Sequence, residues 1–383
     1  MQTRERNGTI DFFKFCCSVM VAGYHGWLMG GFYPKNYTGT YVFVCGYLAV
    51  EFFFIVSGYL LAAKAATYSP AAPQTIYDAN LNMIRRKFLR IFAYLYPASI
   101  LSHAISQFLN YSPRTLSSNL RLTVTELLNV DMLGFSVYRS TQMSWYLSAM
   151  LFVCFLIYPV LCKKREFFCK YAAPILSLTL YGIAVKTGGS VRGIEVGPVT
   201  WQSLLYRGMP RAIAGISLGC VAYELKVYFD SLDDHERPLL AAFEIFGYAL
   251  FFSHGLFHPK WDNRDFLVLL PLLLSISLSF SENSVLRRFF RHPFFNWLGA
   301  FSFPIYLMHP WIRSAVAELF PSLAIVPRYA LYFVLVFAFS LPVMFLGQRL
   351  SREITAVRHA LFLTFLFLIA AEFLLWMCNA LNL

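Results

Sequence analysis

Charge is scarce in this sequence. Asp, Glu, Lys and Arg make up 14% of its 383 residues, against about 25% in soluble proteins. Acids are the scarcer half, 20 against 32 Lys and Arg. So little charge excludes an intrinsically disordered chain, which combines high charge with low hydrophobicity. It also excludes a water-soluble enzyme. Disulfide and thiolate-metal frameworks are missing too. The eight cysteines (Cys16, Cys17, Cys45, Cys154, Cys162, Cys169, Cys220 and Cys378) form no C-x-x-C pair and lie in or beside apolar segments. They read as small packed side chains. No G-x-x-x-x-G-K-[ST] and no H-E-x-x-H occurs, so ATP hydrolysis and zincin chemistry lack motif support. No internal repeat or low-complexity tract stands out.

What the sequence does hold is apolar surface. Hydrophobic residues reach 58%, and Phe alone occurs 39 times, where soluble chains carry about 45–50% apolar residues. The composition implies an all-α polytopic membrane protein with about ten or eleven transmembrane helices in one bundle. The net charge of +12 does not mark a nucleic-acid partner. The bases lie mostly between apolar segments, where membrane topology accounts for them.

A crossing needs about 20 mostly apolar residues. Such runs fall roughly at 10–30, 41–63, 88–109, 143–162, 167–186, 201–224, 238–257, 264–282, 293–313, 328–348 and 359–380. A cytoplasmic N-terminus puts roughly twice as many Lys and Arg inside as outside, which supports N-inside, C-outside. The basic N-terminus followed by an apolar run also suits a signal peptide. Asp11 and Lys14 within the run, and no convincing small-residue cleavage site after it, favour a retained first helix. The expected organisation is one transmembrane domain over 1–350, then a cytoplasmic link and an extra helix over 351–383. The outer loop 110–142 contains a short segment, 125–131, with the character of an interfacial or re-entrant helix.

A charge at membrane depth costs about 2.5–3.5 kcal/mol even on the mildest scale, so intramembrane polar residues are functional candidates. Lys14 and His25 are eleven residues apart in the first run. That spacing is about 20° beyond three full turns and about 16.5 Å along a helix. The two share a face, with Lys14 at the inner surface and His25 carried into the bilayer. Glu51 falls near the middle of the second run and needs a partner. His25 is one candidate, since a carboxylate would fix its tautomer and raise its basicity. A Lys or Arg of a neighbouring helix is the other. Ser57-Gly58, a turn or two further on, lets another backbone or a ligand approach closely.

Arg85, Arg86 and Arg90 open the third run. They read either as a positive-inside anchor or as a phosphate site, and Arg85 and Arg86 fall on different faces, so one can point into the bundle. Trp145 opens the fourth run. Arg207 and Arg211 are four apart, hence on one face. Ser302, Tyr306 and His309 recur near helical spacing in the ninth run.

Together these residues resemble the membrane acyltransferase-3 family, the polytopic O-acyltransferases of bacterial surface polysaccharides. The likeness runs through Lys14-x10-His25, Glu51 ahead of Phe53-Phe54-x-x-Ser57-Gly58-Tyr59, and the Arg85-Arg86/Arg90 entry. It continues with Trp145-x-Leu147 and Gly299-x-x-Ser302-Phe303-x-x-Tyr306-Leu307-x-His309. Lys14 stands where Arg is common and Glu51 where Asp is common, so a bidentate guanidinium becomes a point charge. The family core has ten crossings and this chain offers eleven.

The resemblance implies a transmembrane enzyme of the bacterial plasma membrane. It would move an acyl group, usually acetyl, from cytoplasmic acyl-CoA to a hydroxyl of a polysaccharide or lipid-linked glycan. On that reading His25 is general base or transient acyl carrier, with Glu51 as orienter and Lys14 beside them. Lys14, Arg85, Arg86 and Arg90, with Ser57 and Gly58, hold the acetyl-CoA co-substrate. Trp145, Arg211, Ser302, Tyr306 and His309 contact the carbohydrate acceptor. No metal is assigned. Glycan-assembly proteins and the lipid bilayer are the expected partners. The rival readings are a transporter or flippase for a glycan or lipid-linked substrate, whose intramembrane charges would line a path, and a non-catalytic membrane scaffold.

Overall fold

The computed structural model describes residues 6–28, 32–33, 41–69, 74–109, 123, 126–130, 144–191 and 208–380. Arg207, most of the 110–142 loop and the ends of several expected crossings lie outside them. The regular structure of the described residues is helical, with no strand among them. The long helices are α1 (Gly8–Leu28), α2 (Ala49–Ala65), α3 (Ile76–Leu109), α4 (Trp145–Phe167), α5 (Ala173–Gly188) and α6 (Met209–Asp230). They continue with α7 (Arg237–Phe257), α8 (Leu269–Phe280), α9 (Pro293–Leu319), α10 (Ile325–Arg352) and α11 (Ile354–Ala380). Each expected crossing coincides with one of these.

Seven helical stretches among the described residues are long and apolar enough to cross a membrane. One of them, Trp145–Gly188, holds two expected crossings. A break at Lys164 (φ −142°, ψ 48°) and a π-helical turn over Phe168–Ala172 separate its halves. The stretches α1 and α9 are helical but fall short of that apolarity, and α11 contributes only the shorter apolar stretch Val357–Leu366 among the described residues. Asp11, Lys14 and His25 interrupt the first, and Ser302, His309, Arg313 and Glu318 the second. Prolines sit inside α3, α4, α9 and α10 (Pro97, Pro159, Pro304, Pro310 and Pro342). Membrane helices tolerate them because neighbouring groups satisfy the freed carbonyls. Large apolar side chains remain exposed, among them Phe246, Leu270, Phe345, Phe362 and Trp376, as suits a surface facing acyl chains.

The chain forms two compact units, each assembled from separate stretches of sequence. The first comprises Met1–Tyr24, Thr38–Ile84 and Ala149–Ser302. The second comprises His25–Tyr37, Arg85–Ser148 and Phe303–Leu383.

In the first unit α2 packs on α6, α5 on α6, and α7 on α8. The α2–α6 crossing is set by glycine. A Cβ on Gly58 would overlap the carbonyl of Ile216, and one on Gly219 the carbonyl of Ile55. Close backbone approach of this kind drives helix association in lipid, where burying apolar surface gains little. Glu244 of α7 is wholly buried. It accepts hydrogen bonds from Ser279 (2.9 Å) and Ser284 (2.7 Å) and from the backbone N–H groups of Val285 (3.1 Å) and Leu286 (3.3 Å). It therefore ties α7 to the turn after α8, a structural task.

In the second unit α10 packs on α11. The ring of Tyr94 fills the space beside Gly347, and the rings of Tyr94 and Phe303 lie 5.6 Å apart. Phe32 sits edge-on to Tyr329 and Tyr332, at 4.9 and 5.2 Å.

Candidate active site

The polar residues singled out in the sequence gather into separate clusters. In the second unit His25, in the last turn of α1, lies beside His309 of α9. His25 Nδ1 is 3.1 Å from His309 Nε2, and the rings are 4.9 Å apart at 44°. His309 is fully buried. Its Nδ1 is 3.3 Å from the Ile305 carbonyl one turn earlier on α9. A carbonyl only accepts, so that contact puts the ring proton of neutral His309 on Nδ1 and makes its Nε2 an acceptor. His25 must then donate from Nδ1, which leaves the basic lone pair of His25 on Nε2. Tyr332 of α10 donates to the His309 carbonyl at 3.3 Å, pinning the backbone there.

Aromatic rings continue from the pair. Tyr306, one turn before His309, has its ring 5.8 Å from it. Tyr146 at the start of α4 stands edge-on to Tyr306 at 5.9 Å, and half-buried Trp145 is edge-on to Tyr146 at 6.3 Å. The expected acceptor residues Trp145, Tyr306 and His309 thus stand in one chain of contacts leading to His25. Ser302 is buried, and its hydroxyl donates to the Gly299 carbonyl at 2.9 Å.

In the first unit Glu51 is completely buried and so is Arg211 of α6. Arg211 Nε donates to Glu51 Oε1, and Tyr181 of α5 donates to Glu51 Oε2. Arg211 also donates from Nη2 to the Tyr47 carbonyl at 2.9 Å. Of the two partners considered for Glu51, His25 and a cation from a neighbouring helix, the structure supplies the cation. Arg211, expected at the acceptor, is enclosed by this network. Helices α5 and α6 thus meet on the Glu51 carboxylate of α2, and Arg211 extends the network to the Gly46–Leu48 turn.

Lys14 Nζ is 3.2 Å from Asp11 Oδ1, and Arg6 reaches Asp11 Oδ2 at 2.8 Å. The Asp11 side chain is itself buried. Arg85, Arg86 and Arg90 are all exposed on α3. The expectation that Arg85 or Arg86 turns inward is therefore corrected: three closely spaced cations keep their charge at the surface. Ser57 is half-buried, and Gly58 is taken up by the α2–α6 crossing. The letters G-x-S-x-G occur at Gly215–Gly219, but inside α6. A nucleophile elbow needs a sharp strand-to-helix turn, so Ser217 is no such nucleophile.

Sequence reasoning missed Tyr181, Tyr47 and Asp11. Asp11 had a signal, standing three residues before Lys14 on one helix face. The tyrosines had none, because a lone Tyr in an apolar run carries no spacing.

Buried ionisable groups on many apolar helices mark a polytopic membrane protein. The family model for acyltransferase-3, described as an acyltransferase domain, matches residues 7–349. The chain belongs to that family and is a membrane acyltransferase. No curated relative and no solved structure shows significant similarity to it.

Proposed function

We propose that the protein transfers an acyl group, acetyl foremost, from acyl-CoA to a hydroxyl of a cell-surface or exported polysaccharide or lipid-linked glycan in the bacterial plasma membrane. The observation that carries this reading is the His25–His309 contact, whose proton arrangement leaves Nε2 of His25 as the base. A sugar hydroxyl is a poor nucleophile until its proton is taken during attack. In direct transfer Nε2 accepts that proton as the hydroxyl oxygen bonds to the thioester carbonyl carbon. The carbon–sulfur bond then breaks, and the proton passes to the departing CoA sulfur. In a relay Nε2 itself forms the bond to the carbonyl carbon as the carbon–sulfur bond breaks and CoA leaves as its thiolate; the acceptor hydroxyl then takes the acyl group from the ring, its proton passing to the freed Nε2 and on to the thiolate. Both routes need the same nitrogen.

The remaining assignments follow from this reading. Arg85, Arg86 and Arg90 are exposed and suit the phosphates of CoA, as does the partly exposed ammonium of Lys14. Ser57 is a further contact for CoA. Trp145, Tyr306 and Ser302 belong to the acceptor side, since flat aromatic faces suit a carbohydrate ring. Glu51 and Arg211 act as a buried brace between α2, α5 and α6. Glycan-assembly proteins supply the acceptor.

The test supplies purified protein with acetyl-CoA and an extract of lipid-linked glycans. Release of free CoA thiol together with a base-labile acetyl ester on carbohydrate supports the reading. Glycan movement across vesicle membranes without ester formation, whatever acyl-CoA is offered, would favour a transporter instead.

A further inference from the structure

One cluster takes no part in the acyl-transfer reading. Where α7 ends, His254 and His258 stand one helical turn apart, with rings 4.2 Å apart and 68° between their planes. The chain turns at Lys260 and re-enters through a 3-10 turn, Asn263–Phe266, capped by Asp262. Asp262 and Asp265 come from that turn. Cys45 comes from the segment before α2, held along the end of α7 by the Phe43 N–H donating to the Leu256 carbonyl at 2.9 Å. Phe43 sits at φ 65°, a left-handed conformation that a bulky side chain rarely adopts and that surrounding structure must impose.

Two sets of three donor atoms result. Cys45 Sγ and one ligand atom each of His254 and Asp265 all lie within 4.8 Å of one another, and so do those of His258, Asp262 and Asp265. Cys45 and Asp265 are fully buried, while His254, His258 and Asp262 are partly exposed. His254 Nε2 is 2.7 Å from Asp265 Oδ1, and His258 Nε2 is 3.5 Å from Asp262 Oδ2. The other Asp265 oxygen, Oδ2, accepts from the Tyr47 hydroxyl and from the Asp262 N–H. These two donors hold the carboxylate with Oδ1 toward His254, and the Cys45 thiol donates to the Lys260 carbonyl at 3.5 Å.

We propose that Cys45, His254 and Asp265 bind one divalent transition-metal ion of the zinc type, with His258, Asp262 or a water as the fourth ligand of the tetrahedron. Sequence reasoning assigned no metal: His254-x3-His258 has a ligand spacing, but Cys45 lies far from it along the chain. Thiolate and imidazole select zinc-like ions over calcium or magnesium, which take oxygen ligands. Ligands at about 2.0–2.3 Å from a tetrahedral ion stand roughly 3.3–3.8 Å apart, within the separation the three atoms already have. A small turn of the part-exposed His254 ring opens its gap to Asp265. Binding displaces the Cys45 thiol proton to solvent and leaves the His254 ring proton on Nδ1, so uptake of the ion releases one proton. The ion would staple α7, the Asn263–Phe266 turn and the approach to α2. Tyr47 would link it to the Glu51–Arg211 pair, because Tyr47 offers its hydroxyl to Asp265 and its carbonyl to Arg211.

The test uses the full chain purified in detergent, stripped with a chelator, and reloaded separately with Zn2+ and Co2+. One ion per chain should survive desalting, and the cobalt form should show a near-ultraviolet thiolate-to-metal charge-transfer band. Cys45→Ser should lose that band while the other cysteines stay in place. Tyr47→Phe, which removes only the outer-shell donor to Asp265, should weaken zinc binding about 10–100-fold. If Cys45→Ser does not fold, the wild-type stoichiometry and band together with Tyr47→Phe decide the matter. The proposal is overturned if wild type keeps no metal. It is equally overturned by cobalt binding without the band, by a band that persists in Cys45→Ser, or by unchanged affinity in Tyr47→Phe.

Discussion

His25 Nδ1 and His309 Nε2 are 3.1 Å apart, and the carbonyl of Ile305 fixes which of the two nitrogens carries the proton. On the proposed function His309 acts as a positioning residue for His25. Its replacement by Ala should lower kcat while the KM for acyl-CoA stays near wild type, because the base loses its tautomer and not its substrate. General-base catalysis is worth about 10²–10⁴-fold, and loss of orientation alone should forfeit roughly the lower end. His309→Asn, which keeps a polar side chain facing His25, should fall less. An unchanged kcat in folded His309→Ala would remove His309 from the account.

The Glu51–Arg211 pair should behave as structure. Removing one partner of a buried ion pair costs about 3–5 kcal/mol, because the other charge is left uncompensated. Glu51→Ala and Arg211→Ala should each sharply reduce the yield of monodisperse protein in detergent, or its melting temperature. The double replacement Glu51→Leu with Arg211→Met should recover much of that loss. A Glu51→Ala protein of full stability and no activity would instead return Glu51 to the chemistry.

How much of this could be read from the sequence depends on range. Helix positions were legible, since each expected crossing is a helix and apolar runs of that length have no other way through lipid. His25, Glu51 and His309 were legible as costly polar residues inside apolar runs. Their partners were not. His25 and His309 lie 284 positions apart, and Glu51 and Arg211 160 apart, and no local spacing encodes such pairings. Gly58 shows a different limit. A glycine signals close approach but not what approaches, and here it is the backbone of Ile216.

The α2–α6 crossing gives a stability test free of charge effects. Gly58→Ala and Gly219→Ala each add one methyl where the facing backbone cannot retreat. Overpacking typically costs about 1–3 kcal/mol. Thermal unfolding followed in detergent should show a clear loss for both. A neutral Gly58→Ala would mean that the two helices sit further apart than described.

Arg85, Arg86 and Arg90 are exposed cations whose proposed role is to hold CoA phosphates. Replacing all three by Gln should raise the KM for acyl-CoA on the order of tenfold, taking about 0.5 kcal/mol for each exposed contact. The kcat should stay nearly unchanged, and the defect should shrink at high salt. A kcat defect with normal KM would place these arginines elsewhere in the mechanism.

The central claim is that Nε2 of His25 performs the proton transfer or carries the acyl group. The most direct measurement follows label from acetyl-CoA into carbohydrate in membrane vesicles containing the glycan machinery. Wild type and His25→Ala would be compared at matched expression and equal monodispersity. The account predicts labelled carbohydrate with wild type and none above background with His25→Ala. Labelling by His25→Ala at the wild-type rate would contradict it.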